Sequence, residues 1–88
     1  MANSDPLSEL EAHVQRAFSR AFPGTVIDED SDFFDLGGES IKAVQIAAAM
    51  EGTLGVPVHP SALIQNPTVA DFAQALNAAR ALSDARKS

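Results

Sequence analysis

The 88-residue sequence predicts an all-α fold, a small four-helix bundle with three main helices, a short third helix and a long first loop. Three stretches repeat apolar residues at the three-and-four spacing of a helix, and no stretch alternates as a half-buried strand does. The composition is rich in alanine, the best helix former. Pro57, Pro60 and Pro67 divide the remaining segment into pieces that hold one short helical turn. With no internal repeat or interdomain linker, the chain reads as one folded domain over 6–82 between flexible tails at 1–5 and 83–88.

The first helix begins near Pro6 or Ser8. Asp5 can cap it with Pro6 in the first turn, or Ser8 and Glu11 can form a capping box. Leu7, Leu10, Val14, Ala17, Phe18, Ala21 and Phe22 form its apolar stripe, and Pro23-Gly24 ends it. His13 lies beside that stripe as a boundary residue. The loop over 24–39 is costly to order unless side chains pin it. Phe33 and Phe34 are its expected anchors, with Val26 and Ile27 folding inward beside them.

The second helix is expected from Ser40 to Met50 or Gly52. At about 100° per residue, Ala43, Ile46, Ala47, Met50 and Leu54 share the arc assigned to the core. Ile41, Val44 and Ala48 fall on a different arc, which few remaining apolar residues can cover. That strip is expected to be a docking surface for other proteins. Pro60 to Gln65 forms the short helix, whose Leu63 and Ile64 can close the open end of the bundle. His59 receives no role. Thr68 opens the last helix with Asp71 as half of a capping box, and Val69, Phe72, Ala73, Leu76 and Ala79 form its stripe.

Composition excludes several functions. The absence of cysteine rules out disulfides, thiolate metal sites and a cysteine nucleophile, and fits a cytoplasmic location. No apolar run is long enough for a bilayer, and MANSDPLSEL lacks the basic start and apolar middle of a secretory signal. No membrane partner is expected, and a formal net charge of −6 repels phosphate backbones, so nucleic acid is not an expected partner either. Asp28, Glu29, Asp30, Asp32, Asp35 and Glu39 crowd one loop without a Lys or Arg among them, so partners meeting it should be basic.

The chemistry centres on DFFDLGGESIKAVQ, residues 32–45. Gly37 and Gly38 have no Cβ, which permits a sharp turn and close approach of another molecule. Ser40 follows at the start of a helix. It is either an N-cap or a serine awaiting modification. A phosphodiester on its Oγ would gain about 0.3–1 kcal/mol from the helix dipole and the free N–H groups. Self-contained serine catalysis is excluded, because GGESI is not a Gly-x-Ser-x-Gly elbow and neither His13 nor His59 reads as a positioned base.

DFFDLGGESIKAVQIA resembles the attachment motif of the carrier proteins, or thiolation domains, of nonribosomal peptide and polyketide synthesis. Asp32, Phe33, Phe34, Leu36, Gly37, Gly38, Ser40 and Ile41 match that motif in register, and ALIQNPTVADFAQAL resembles the family's closing segment through Leu63, Pro67, Thr68 and Phe72. The likeness covers roughly residues 7–82. It implies a non-catalytic protein whose Ser40 carries 4′-phosphopantetheine, taken from coenzyme A by a phosphopantetheinyl transferase. The arm's thiol would hold an aminoacyl or acyl group for adenylation, condensation, thioesterase or tailoring enzymes. The implied docking residues are Ile41, Val44 and Ala48, with Leu63 and Ile64 added.

Fatty-acid acyl carriers typically show Asp-Ser-Leu followed by acids along the second helix. This chain has Gly-Gly-Glu-Ser-Ile, then Lys42 and Gln45, with Glu51 the only acid along that helix. It therefore resembles a peptidyl carrier more than an acyl carrier of polyketide or fatty-acid type. Glu39 and Ile64 depart from the His or Asp and the aromatic that are commoner there. The initial Met and lack of neighbouring domains suggest a free-standing carrier, expected to be monomeric. One rival belongs to another class: Asp28, Asp30, Asp32 and Glu39 occupy positions one, three, five and twelve of an EF-hand calcium loop. Phe33 stands where that loop needs glycine, and Pro23-Gly24 breaks the helix that should lead into it.

Overall fold

The computed structural model describes residues 6–87, with side chains over 7–82. Four helices follow in order: α1 (Pro6–Ala21), α2 (Ser40–Leu54), α3 (Pro60–Gln65) and α4 (Val69–Lys87). Among the described residues no strand forms, and the one β-bridge joins Asp32 to Thr68. α1 packs against both α2 and α4, while α3 fills the gap between α2 and α4. The core is apolar throughout, with Phe18, Phe33 and Phe72 its largest fully buried members.

α1 starts at Pro6, whose fixed φ suits a first helical turn. Ser8 and Glu11 therefore lie inside the helix and form no box at its start; Asp5 and the rest of 1–5 lie outside the described residues, as does Ser88. The α1 stripe is buried from Leu10 to Phe22, with Leu7 packed at its edge. His13 is half-buried beside it, lining a groove with Arg16 and Arg20.

The long loop is held by backbone bonds to the start of α4. Phe33 N–H donates to Pro67 O at 2.8 Å, Val69 N–H to Ser31 O at 3.1 Å and Ala70 N–H to Glu29 O at 3.0 Å. Gln15 adds a bond from Nε2 to Ile27 O at 2.7 Å. Of the two expected anchors and the two residues expected to fold inward beside them, one of each does not enter the core. Ile27 and Phe33 are buried, but Val26 is 89% exposed and Phe34 51% exposed. Neighbouring side chains leave the backbone in different directions, so only one of each pair goes inward.

α2 runs to Leu54, past the expected end at Met50 or Gly52. It closes on Gly55 in the left-handed conformation, whose N–H donates to Glu51 O at 2.8 Å. Ala43, Ile46, Ala47 and Met50 form its buried arc, with Leu54 partly buried. α3 has the expected bounds, and His59 turns out to cap it, Nδ1 accepting from Ser61 N–H at 3.1 Å. At α4, Thr68 Oγ1 accepts from Asp71 N–H at 3.1 Å. Such a cap contributes about 0.5–2 kcal/mol.

Two expectations for α4 require correction. Val69, Phe72, Ala73 and Leu76 are buried, but Ala79 is exposed, because the last turns of α4 extend past the core. Residues 83–87, expected as a flexible tail, continue the helix. No Gly or Pro interrupts them, and Ala, Arg and Lys are strong helix formers.

Candidate functional site: the serine at the start of α2

The turn that delivers Ser40 is built from local bonds. Asp32 Oδ1 accepts from Phe34 N–H at 2.8 Å and from Asp35 N–H at 3.2 Å, starting the turn as short acidic side chains do. Leu36 N–H then donates to Asp32 O, Gly37 N–H to Phe34 O and Gly38 N–H to Phe33 O, at 3.0, 3.0 and 2.9 Å.

The two glycines serve different purposes. Gly37 has φ +87° with open space where a Cβ would point, so backbone conformation alone requires glycine. Gly38 is not the open approach the sequence suggested. A Cβ on it would lie 2.5 Å from Cε2 and Cζ of Phe33, so the chain rests directly on that buried ring.

Glu39 occupies the N-cap position in extended conformation (φ −142°, ψ 177°) with no side-chain capping bond. Its carbonyl accepts from Ala43 N–H at 3.0 Å. Ser40 is thus the first helical residue, and the N-cap reading of its hydroxyl is incorrect. Ser40 is exposed, and no hydrogen bond engages its hydroxyl among the described residues. The amides of Ser40, Ile41 and Lys42 have no carbonyl one turn earlier to bond within the helix. No acid stands in the first turn of α2. An exposed nucleophilic oxygen therefore stands at the positive end of a 15-residue helix.

The apolar strip beside it is uncovered. Ile41 is 66% exposed and Val44 54%, and Ala48 is exposed one turn on. Ser40, Ile41, Val44 and Gln45 line a shallow depression of about 250 Å³. On α3, Ile64 is 43% exposed, but Leu63 is fully buried and cannot meet a partner. Sequence spacing could not separate these neighbours, since both are large aliphatics on a one-and-a-half-turn helix. Phe34, like Val26 in the same loop, is an exposed apolar residue that the sequence pattern placed inside.

The calcium-loop arrangement does not form. Asp28 Oδ1 accepts from Asp30 N–H at 2.9 Å and from Ser31 Oγ at 3.3 Å, while Asp32 bonds the backbone of its own turn. These carboxylates hold the loop and do not converge. Among the described residues, no three His, Cys, Asp or Glu side chains gather where they could hold a metal.

Comparison with known proteins agrees with this geometry. Residues 8–76 match the family described as Phosphopantetheine attachment site. The chain is 35% identical over 80 residues to part of the phenolphthiocerol/phthiocerol polyketide synthase of Mycobacterium tuberculosis, covering 91% of this chain and 5% of that protein. It is 33% identical over 76 residues to tyrocidine synthase 3 of Brevibacillus parabrevis, covering 86% of this chain and 1% of that one. The chain thus spans only a small part of the length of these two relatives. In three dimensions it resembles BlmI, a type-II acyl carrier protein of Streptomyces verticillus involved in bleomycin biosynthesis. The TM-score is 0.79 at 23% identity, over 83% of this chain and 88% of BlmI. A nonribosomal PCP domain superposes with TM-score 0.69 at 25% identity, over 82% of this chain and 92% of that domain.

The chain belongs to the phosphopantetheine-attachment family and is a carrier domain of the kind found in nonribosomal peptide and polyketide synthases. The group this family carries is covalent 4′-phosphopantetheine. The residues present fit it: an exposed, unbonded hydroxyl precedes free helix-start amides that favour a phosphate. No helix among the described residues is long and apolar enough to cross a membrane.

Proposed function

We propose that the protein is a peptidyl carrier whose Ser40 Oγ bears the phosphopantetheine arm. The observation that carries this reading is the exposed, unbonded Ser40 hydroxyl at the start of α2, behind a turn whose two glycines have separate structural causes. When attached, the arm supplies a thiol that holds an aminoacyl or acyl group as a thioester, chemistry a cysteine-free chain lacks. The chain's own part is to present the oxygen, with Gly37 and Gly38 shaping the turn before it. Among the described residues no base bonds that hydroxyl, and on this reading its proton passes to a group on a separate phosphopantetheinyl transferase. The carrier itself catalyses nothing.

The partners on this reading are that transferase and adenylation, condensation, thioesterase or tailoring enzymes. They would dock on Ile41, Val44 and Ala48 with Ile64, the large members of that set being exposed. The carrier acts as a cytoplasmic monomer. Its folded unit includes 6–82, and α4 continues from it to Lys87. The peptidyl subclass is supported by Lys42 and Gln45 standing where acyl carriers place acids. An acyl carrier of polyketide synthesis is the second reading, favoured by the 35% identity to a polyketide synthase.

Incubation with coenzyme A and a broad-specificity phosphopantetheinyl transferase should add one arm, seen by intact-protein mass spectrometry. The Ser40→Ala variant should remain unmodified, and an unchanged mass in the parent chain refutes the assignment. Loading of the modified chain by amino-acid adenylation enzymes rather than acyltransferases then decides the subclass.

A further inference from the structure

Among the described residues nothing bonds the Ser40 side chain, so its position depends on what holds the residues around it. Upstream, Gly38 rests on the Phe33 ring with no room for a methyl group between them. Downstream, Lys42 reaches back to α1. Its Nζ donates to Ala21 O at 2.6 Å and lies 5.1 Å from the centroid of the Phe22 ring. Ala21 ends α1, so its carbonyl lacks a helical partner and lies at the negative end of the helix dipole. A half-buried ammonium satisfies that oxygen and also rests against the face of an aromatic ring. Phe22 in turn meets Phe33 edge-on, with centroids 5.9 Å apart. Both flanks of Ser40 thus end on the same pair of rings.

We propose that Lys42 is a positioning residue for modification of Ser40, tying the first turn of α2 to the end of α1 so that the hydroxyl is offered in one place. The proposal rests on the reading of Ser40 as the attachment site. Lys42 spends its charge inside the molecule, which separates it from the exposed apolar residues beside it. Those residues meet a partner, whereas Lys42 holds the turn that carries them.

The test uses the full chain with Lys42→Met, which keeps the aliphatic stem and removes the donor, and Lys42→Arg, which keeps a cation within reach of the carbonyl. Amide hydrogen exchange at Ala43 and Val44, which close the first turn of α2, is read without any transferase. The Met variant should exchange there about tenfold faster, as expected when a charge-assisted bond restraining a local opening is lost. Ile46 and Ala47 should keep their rates. With the transferase and coenzyme A, kcat should fall about three- to tenfold at unchanged KM. The Arg variant should restore both readouts.

Unchanged exchange at Ala43 and Val44 overturns the proposal, as does a uniform rise across all helices, which marks general destabilisation. A raised KM at unchanged kcat overturns it too, because Lys42 would then be a transferase contact. If the parent chain is not modified, the attachment reading fails and the proposal falls with it, even where the exchange data show that Lys42 holds the turn.

Discussion

Replacing Gly38 with alanine puts a methyl carbon 2.5 Å from Cε2 and Cζ of Phe33 and 2.6 Å from Cε1. Carbon atoms pack best at about 3.5–4.0 Å, so roughly 1 Å must be found. The ring cannot supply it. Phe33 is fully buried, with the rings of Phe18, Phe22 and Phe34 at centroid distances of 6.4, 5.9 and 5.5 Å. The backbone must lift instead, two residues ahead of Ser40.

Overpacking of this kind costs about 1–3 kcal/mol, from a total of about 5–15 kcal/mol for a native domain. In a domain of this size the thermal midpoint should drop by about 5–20 °C. Circular dichroism melts measure the drop, and a double-mutant cycle with Phe33→Leu locates its cause. The two changes should couple by about 0.5–3 kcal/mol, because the smaller side chain leaves room for the methyl group. Gly37→Ala is the control. It costs about 1–2 kcal/mol through its left-handed backbone, with no coupling to Phe33 since its Cβ points into open space. An unaltered midpoint for Gly38→Ala, or an equal cost with and without Phe33→Leu, would refute the reasoning.

Two further outcomes follow from exposure. Leu63→Ala should lose about 2–5 kcal/mol of stability in urea denaturation, as a buried leucine does. Ile64→Ala, next in sequence but 43% exposed, should stay within about 0.5 kcal/mol of the parent, and equal losses would contradict the assignment. The double variant Ile41→Ala/Val44→Ala should melt with the parent yet raise the transferase KM about tenfold, as loss of central contact residues does. An unchanged KM removes that strip from the docking surface.

Much of the site was legible because it is local. Ser40 follows a glycine pair and opens an apolar-periodic helix within a few residues of sequence, and the structure places it there. The bounds of α3 follow from its flanking prolines in the same way. The cap by His59 was missed although its partner, Ser61, is only two residues away; a ring nitrogen ahead of Pro60 was the available signal. Lys42 gave no signal. Its acceptor lies 21 residues back, at the end of a helix whose direction relative to α2 the pattern does not state.

By itself the sequence determined the helices, their apolar faces and the serine, because periodicity, proline breaks and glycine turns act over a few bonds. Only the tertiary structure decided which of Phe33 and Phe34, Ile27 and Val26, and Leu63 and Ile64 faces inward. It alone showed that Gly38 is glycine for the ring beneath it. Composition gives both members of each pair nearly the same preference for burial. The choice between them is made by the path of a chain already packed against distant helices.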